Sequence, residues 1–235
     1  MNEIVRIDDL EVQVRRSPRR KTVDLIVDRF GDLVINVPDS LPEREVEAIV
    51  RRKQEWIYSK LEHKDAVLKP TGTREFVTGE GFYYLGRKYR LKLIDETEAP
   101  RAPTVCLRNS RFWMPRSAAE KGRSHFIRWY TQRGEAWIPD AVQKLKDRVA
   151  AEPRAIVVRD LKYRWASCNA FGDVYFHWRI MLLPPKMIHY LILHELVHLH
   201  EHNHSEAFYE RLGRAVPAYR QIESWLEAHG DSYDL

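Results

Sequence analysis

His194-Glu195-Leu196-Val197-His198 sets two imidazoles and a carboxylate in a pattern that suits a metal ion and the water beside it. On a helix, histidines at i and i+4 share a face and lie about 6 Å apart along the axis, so both can reach one ion. Glu195 is rotated by roughly 100° from His194, where its carboxylate can meet a bound water without displacing a ligand. The chemistry such a set performs is hydrolysis. The ion acidifies the water, and the glutamate takes the proton as a carbonyl is attacked and later hands it to the leaving amine.

A metal held this way needs a third protein ligand. Five of the ten histidines fall between 194 and 204. His200 points to another face of the helix, and His202, eight residues past His194, would lie about 12 Å from it on a straight helix. The third donor must therefore come from chain that has turned back. Asn203 tolerates the left-handed conformation that ends a helix, and His204 follows it, so His204 is the expected ligand. His202 replaces it if the helix ends earlier, and Glu206, Glu210 and Glu223 are the carboxylate alternatives.

The elements that must position these groups read as α+β. Val12–Arg15, Thr22–Val27 and Leu33–Val37 are strands, with Phe30-Gly31-Asp32 turning between the last two. Ser40 is placed to cap a helix carrying Val46, Ile49, Val50, Ile57 and Leu61. Residues 65–74 form a linker. Two hairpins follow, Phe82–Leu85 with Tyr89–Ile94 and Thr104–Leu107 with Arg111–Met114. A long helix runs from about Ser117 to Val149, bent or split at Pro139. Ala155–Leu161 and Val174–Met181 are strands leading to the histidine helix, which Pro184-Pro185 opens. Further helices begin after Ser205 and at Pro217. The expected division is a β-rich amino-terminal region over 1–115, suited to substrate recognition, and a strand–helix metal-binding region over 116–235. An extended peptide could pair with the edge of strand 174–181. Arg164, Tyr163, His177 and Arg179 flank these strands and are candidate donors to an oxyanion.

Composition sets the surroundings. No apolar run approaches the ~18 residues a membrane span needs. The charged start, MNEIVRIDDLEVQ, has no secretory core, so a cytoplasmic protein is expected. Cys106 and Cys168 are too few for a disulfide framework and read as reduced, mostly buried thiols. The net charge is +5, with the excess in residues 65–150, which carry 17 basic and 10 acidic side chains. There Arg116, Lys121, Arg123, Arg128 and Arg133 interleave with Phe112, Trp113, Phe126, Trp129 and Tyr130. That pattern suits nucleic-acid association, and equally an amphipathic helix with a basic outer face.

Several blocks together are similar to the YgjP-like, SprT-like zinc metallopeptidases. They are residues 12–22, Val-Gln-Val-Arg-Arg-Ser-Pro-Arg-Arg-Lys-Thr; Arg51-Arg52-Lys53-Gln54-Glu55-Trp56-Ile57; and Tyr84-Leu85-Gly86-Arg87. Arg164-Trp165-Ala166-Ser167-Cys168, His177-Trp178-Arg179, Pro184-Pro185, the HExxH block and Asn203-His204-Ser205 complete the set. The resemblance implies a zincin-type site: Zn²⁺ on His194, His198 and His204, Glu195 as catalyst, and a peptide or protein substrate. The histidine spacing is also that of metzincins. However, Glu201 stands at their glycine position, and Met1, Met114, Met181 and Met187 all precede the motif, where a methionine turn would have to follow it.

Two other functions use the same residues. A nucleotide or phosphodiester hydrolase would employ the same water with basic residues as a phosphate clamp, although two-metal phosphoryl chemistry favours carboxylate ligands. A non-enzymatic, DNA-associated metal-binding adaptor would have no use for Glu195.

Overall fold

Leu10, Val12 and Val14 alternate with Glu11 and Gln13, and that period of two turns one face of a strand to the core. The computed structural model describes residues 2–8, 10–27, 33–67, 74–95, 104–161 and 164–235. They form an α+β arrangement in two compact units, Met1–Pro70 and Thr71–Leu235.

In the first unit, β1 (Asn2–Ile7), β2 (Leu10–Ser17), β3 (Asp24–Val27) and β4 (Leu33–Pro38) form a sheet in the order β1-β2-β4-β3. The β2–β4 pair is parallel and the other two pairs are antiparallel. The turn expected at Phe30-Gly31-Asp32 lies outside the described residues, as do residues 68–73 of the linker. α1 (Glu43–Arg52) buries Val46 and Val50, and α2 (Gln54–Val67) buries Ile57, so the single helix expected here is broken at Lys53. Ser40 makes no cap. Pro42 is the N-cap residue, without a side-chain hydrogen bond, and Glu43 and Glu45 offset the helix dipole in the first turn.

The second unit begins with β5 (Gly81–Tyr84), β6 (Arg87–Ile94), β7 (Cys106–Arg108) and β8 (Arg111–Pro115), ordered β5-β6-β8-β7. Both two-residue turns have positive φ at both positions, 48° and 77° at Leu85-Gly86 and 49° and 57° at Asn109-Ser110, the twist that suits tight hairpins. Leucine tolerates this because the turn is docked. The Leu85 and Gly86 amides donate to the Met181 and Leu182 carbonyls at 2.8 and 3.0 Å, and a Cβ on Gly86 would lie 2.8 Å from Pro184.

α3 (Gly122–Leu145) is one continuous helix with Pro139 inside it. Burial of Gly134, Ile138, Ala141 and Val142 on either side of the proline holds it together. The preceding turn, Arg116–Lys121, is 3-10, as is Trp178–Leu182. β9 (Ala155–Arg159), β10 (Ala166–Cys168) and β11 (Asp173–His177) make a second sheet in the order β10-β11-β9, with α4 (Pro185–Val197), α5 (Glu206–Ala215) and α6 (Tyr219–His229) after it.

The division expected at 115/116 falls inside this unit. Phe82 of the first hairpin stacks on Phe126 of α3 with centroids 4.3 Å apart, and Phe112 meets Trp129 edge-on at 5.0 Å. The strands after Thr71 and the helices after 116 thus share one apolar core.

Candidate metal centre

α4 is hydrophobic nearly all round: Ile188, Tyr190, Leu191, Ile192, Leu193, Leu196 and Val197 are all buried. A helix of that kind is held from every side, which fixes the direction of the histidines at its end. It stops sooner than expected. Val197 is its last residue, His198 is the C-cap, and Asn203 is not among the residues with positive φ. The chain then turns through Leu199–Glu201, where three amides donate to the Leu196 and Val197 carbonyls. Ser205 starts α5 by accepting a hydrogen bond from the Phe208 amide at 3.3 Å.

This turn returns His204 to the face of α4. One ring nitrogen from each of His194, His198 and His204 lies within 4.8 Å of the others, and Nε2 of His194 is 3.1 Å from Nε2 of His204. Phe208 lies beneath all three, its centroid 5.0, 4.6 and 4.7 Å from those of His194, His198 and His204. The early helix end does not bring in His202, which is exposed on the rim of the cleft. His200 faces the Val149 and Ala150 carbonyls at 3.2 and 3.1 Å. Glu206 and Glu210 are exposed, and Glu223 is engaged by Tyr190.

Two of the rings have fixed partners on the far nitrogen. His198 Nδ1 is 2.9 Å from the Glu201 carbonyl, which can only accept. His194 Nδ1 is 3.3 Å from the Tyr190 hydroxyl. Burial lowers the pKa of all three histidines. For His194 it does so to about 3, helped by the like charges of His198 and His204. The rings are therefore neutral at pH 7, the form that binds metals.

The histidines open into a cleft of about 460 Å³. One wall is the strand β10, with Ala166, Ser167 and Cys168, continued by Asn169 and Ala170. Glu195, 6% exposed, also lines it. Loss of solvent pushes its carboxyl up to about 8, against the pull of the Arg164 guanidinium. Burial pushes the Cys168 thiol up to about 11, with Glu195 and Asp173 adding to the shift. Both cysteines are half-buried rather than buried.

Of the four candidate oxyanion donors, Arg164 lines the cleft. His177 is buried and turned away, accepting from the Arg179 amide at 3.0 Å and lying 3.2 Å from Asp160. Arg179 is buried under the Trp165 ring at 4.6 Å and donates to the Tyr233 carbonyl. Tyr163 lies outside the described residues. The expected edge strand is also corrected. β11 is central, and residues 178–182 are a 3-10 turn, so among the described residues the edge strand at the cleft is β10.

β10 itself was hidden in the sequence as the connection Trp165–Cys168, because three residues are too few to show a period. Tyr190 is not among the residues expected from the sequence, although its place four residues before His194 on the same helix face is a readable signal. Past β10, the Asn169 side chain accepts from the Phe171 and Asp173 amides at 2.9 Å each, and Arg154 forks onto Asp173 with two bonds of 2.6 Å. These bonds fix the turn at the end of the cleft wall. In the basic middle segment, Phe112, Phe126, Trp129 and Tyr130 are core residues, while Arg116, Lys121, Arg123, Arg128 and Arg133 are exposed. The interleaving there is that of an amphipathic helix over a core.

The family described as YgjP-like, metallopeptidase domain, matches residues 21–229. Among solved structures, the metallopeptidase zymogen of Pyrococcus abyssi abylysin is similar at 22% identity and a TM-score of 0.36, covering 38% of this chain and 90% of that one. No curated protein matches the chain. No helix among the described residues is long and apolar enough to cross a membrane.

Proposed function

The chain belongs to the YgjP-like metallopeptidase family, and from that premise we propose that it is a zinc-dependent peptidase in which His194, His198 and His204 hold the ion and Glu195 moves the proton. The observation that carries this reading is the meeting of three ring nitrogens within 4.8 Å beside a buried glutamate. The donor set fits the metal. Three neutral imidazoles are a ligand set of catalytic zinc, which keeps a further position open. When bound, the ion supplies Lewis acidity, acidifying water and polarising a carbonyl.

The remaining roles belong to the chain. Glu195 accepts a proton from water and delivers it to the departing amine. Arg164, the cationic residue on the cleft wall, faces charge developing on the substrate oxygen. The free edge of β10 offers main-chain groups to an extended peptide, which would lay the scissile bond across the histidines. Phosphoryl transfer is the weaker reading. Among the described residues the one group of metal-binding side chains is all histidine, with no carboxylate cluster for a second ion.

The test is metal content after exhaustive dialysis, followed by assays on peptides and on nucleoside triphosphates. About one zinc per chain, lost in His204→Ala, with hydrolysis of peptides alone, is the expected result. Zinc retained by His204→Ala removes His204 from the ligand set, and absence of zinc from the parent protein after incubation with the ion overturns the reading.

A further inference from the structure

The Tyr190 hydroxyl stands between two partners. It donates to Oε1 of Glu223, on α6, at 2.8 Å, and it lies 3.3 Å from Nδ1 of His194, on its own helix. A phenol has one hydrogen to give and lone pairs to receive. With its hydrogen spent on the carboxylate, the hydroxyl can only accept from His194. Nδ1 must then carry the ring hydrogen, and Nε2 faces His204 with its lone pair bare.

We infer that Glu223, acting through Tyr190, is a positioning residue that sets the tautomer of His194 and so presents Nε2 as a metal donor. The inference rests on the metal reading above and adds to it how one ligand is kept in its binding form. Hydrogen bonds to the outer nitrogen of a ligating histidine orient the ring and raise its basicity.

His198 shows the contrast. Its Nδ1 meets the Glu201 carbonyl, a main-chain acceptor that no side-chain substitution removes. His194 depends instead on a carboxylate two side chains away and 29 positions later in the chain. Tyr190 is 3% exposed, so bulk water does not readily replace either partner. Glu223 therefore enters the site as the group that aims a ligand, rather than as the ligand that sequence alone allowed.

The arrangement makes an unusual prediction about paired substitutions. In Tyr190→Phe, Nδ1 loses its acceptor and the tautomer preference relaxes. In Glu223→Ala the hydroxyl is released from the carboxylate and turns to donate to Nδ1, which puts the hydrogen on Nε2 and blocks the donor. Glu223→Ala is therefore the more damaging single change, and adding Tyr190→Phe to it restores binding. Glu223→Gln keeps an accepting oxygen and has the smallest effect.

Zinc dissociation constants from competition with a chromogenic chelator, at one pH, measure this for the parent, the three single variants and the Glu223→Ala/Tyr190→Phe double variant. Long-range proton–nitrogen spectra of the imidazoles before zinc addition report the His194 tautomer directly. The expected losses in affinity are about 10-fold for Tyr190→Phe and up to about 100-fold for Glu223→Ala, the span usual for such partners. The double variant should lie near Tyr190→Phe, with the His194 hydrogen moving to Nε2 in Glu223→Ala only. Unchanged affinities, or a double variant as weak as the product of the singles with no change of tautomer, overturn the inference. If the parent itself takes up no zinc, the metal reading fails, and the tautomer spectra still decide whether Glu223 and Tyr190 control His194.

Discussion

The two units bury different things. Among the described residues, the core of Met1–Pro70 is aliphatic, built from Val12, Val14, Ile35, Val37, Val46, Val50, Ile57 and their neighbours. The core of Thr71–Leu235 is rich in aromatic rings, and it contains the buried polar residues Asp173, His177, Arg179 and Glu195, all within one stretch of 23 residues. Removing a charged or polar group from water costs several kcal/mol unless it is paired. Asp173, His177 and Arg179 have partners: Arg154 and Asn169, Asp160, and Asp234 with the Trp165 ring, respectively. Glu195 lines the cleft, where loss of solvent raises its pKa against the opposing pull of the Arg164 guanidinium. The contrast separates polar burial that braces a wall from the polar burial proposed above to move a proton, and among the described residues the first unit buries no charged or polar residue.

The comparison breaks most sharply at Glu195. Glu195→Gln keeps the shape and the histidines but cannot exchange a proton, so peptide hydrolysis should fall by about 10²–10⁴-fold while zinc content stays at the parent level. Steady-state rates beside metal analysis check this, and activity close to that of the parent would return Glu195 to a structural role. The next largest effect belongs to the first unit. Ile57 is fully buried, and Ile57→Ala should cost about 2–5 kcal/mol of stability through lost transfer energy and a cavity. Denaturant unfolding measures the loss, and zinc affinity of the folded protein should not move. A matching drop in affinity would show that the aliphatic unit supports the site.

The smallest effect tests the bracing role. Hydrogen bonds from Arg154, then Asn169, hold the Asp173 carboxyl down at about 2, below the ~3.9 of an unfolded aspartate. A depressed carboxyl contributes its stability above the unfolded pKa and loses it as pH falls through the folded one. Asp173→Asn should therefore melt below the parent at neutral pH. The gap should narrow between about pH 4 and pH 2 and vanish below that. A gap independent of pH would mean that shape, not charge, holds the Asn169–Asp173 turn.

How much of this was legible in the residues depends on the range of the forces involved. The hairpin turns at Gly86 and Asn109, the proline start of α4 and the Ser205 cap are local preferences, and each was readable. The break at Lys53 and the survival of α3 through Pro139 were not. In α3, buried contacts on both sides of the proline outweigh its own tendency to interrupt a helix. β10 is not legible locally, because three residues carry no period. Its identity as a strand comes from pairing Ala166–Cys168 with Val174–Phe176, which no local window contains.

The amino-acid sequence by itself determined the helix that carries His194 and Glu195 and ends at His198, because a 3.6-residue period and an i, i+4 spacing are properties of one segment. It also narrowed the third donor to a few residues, His204 first among them. Only the tertiary structure decided the rest. The turn after Val197 brings His204, and not His202, to the other two rings. α6 brings Glu223 to Tyr190 rather than into the cleft, and among the described residues β10 pairs on one side alone, as the edge of its sheet. The last two outcomes depend on contacts between segments that are not adjacent in the chain, where the position of each atom is set by the packing of the whole unit.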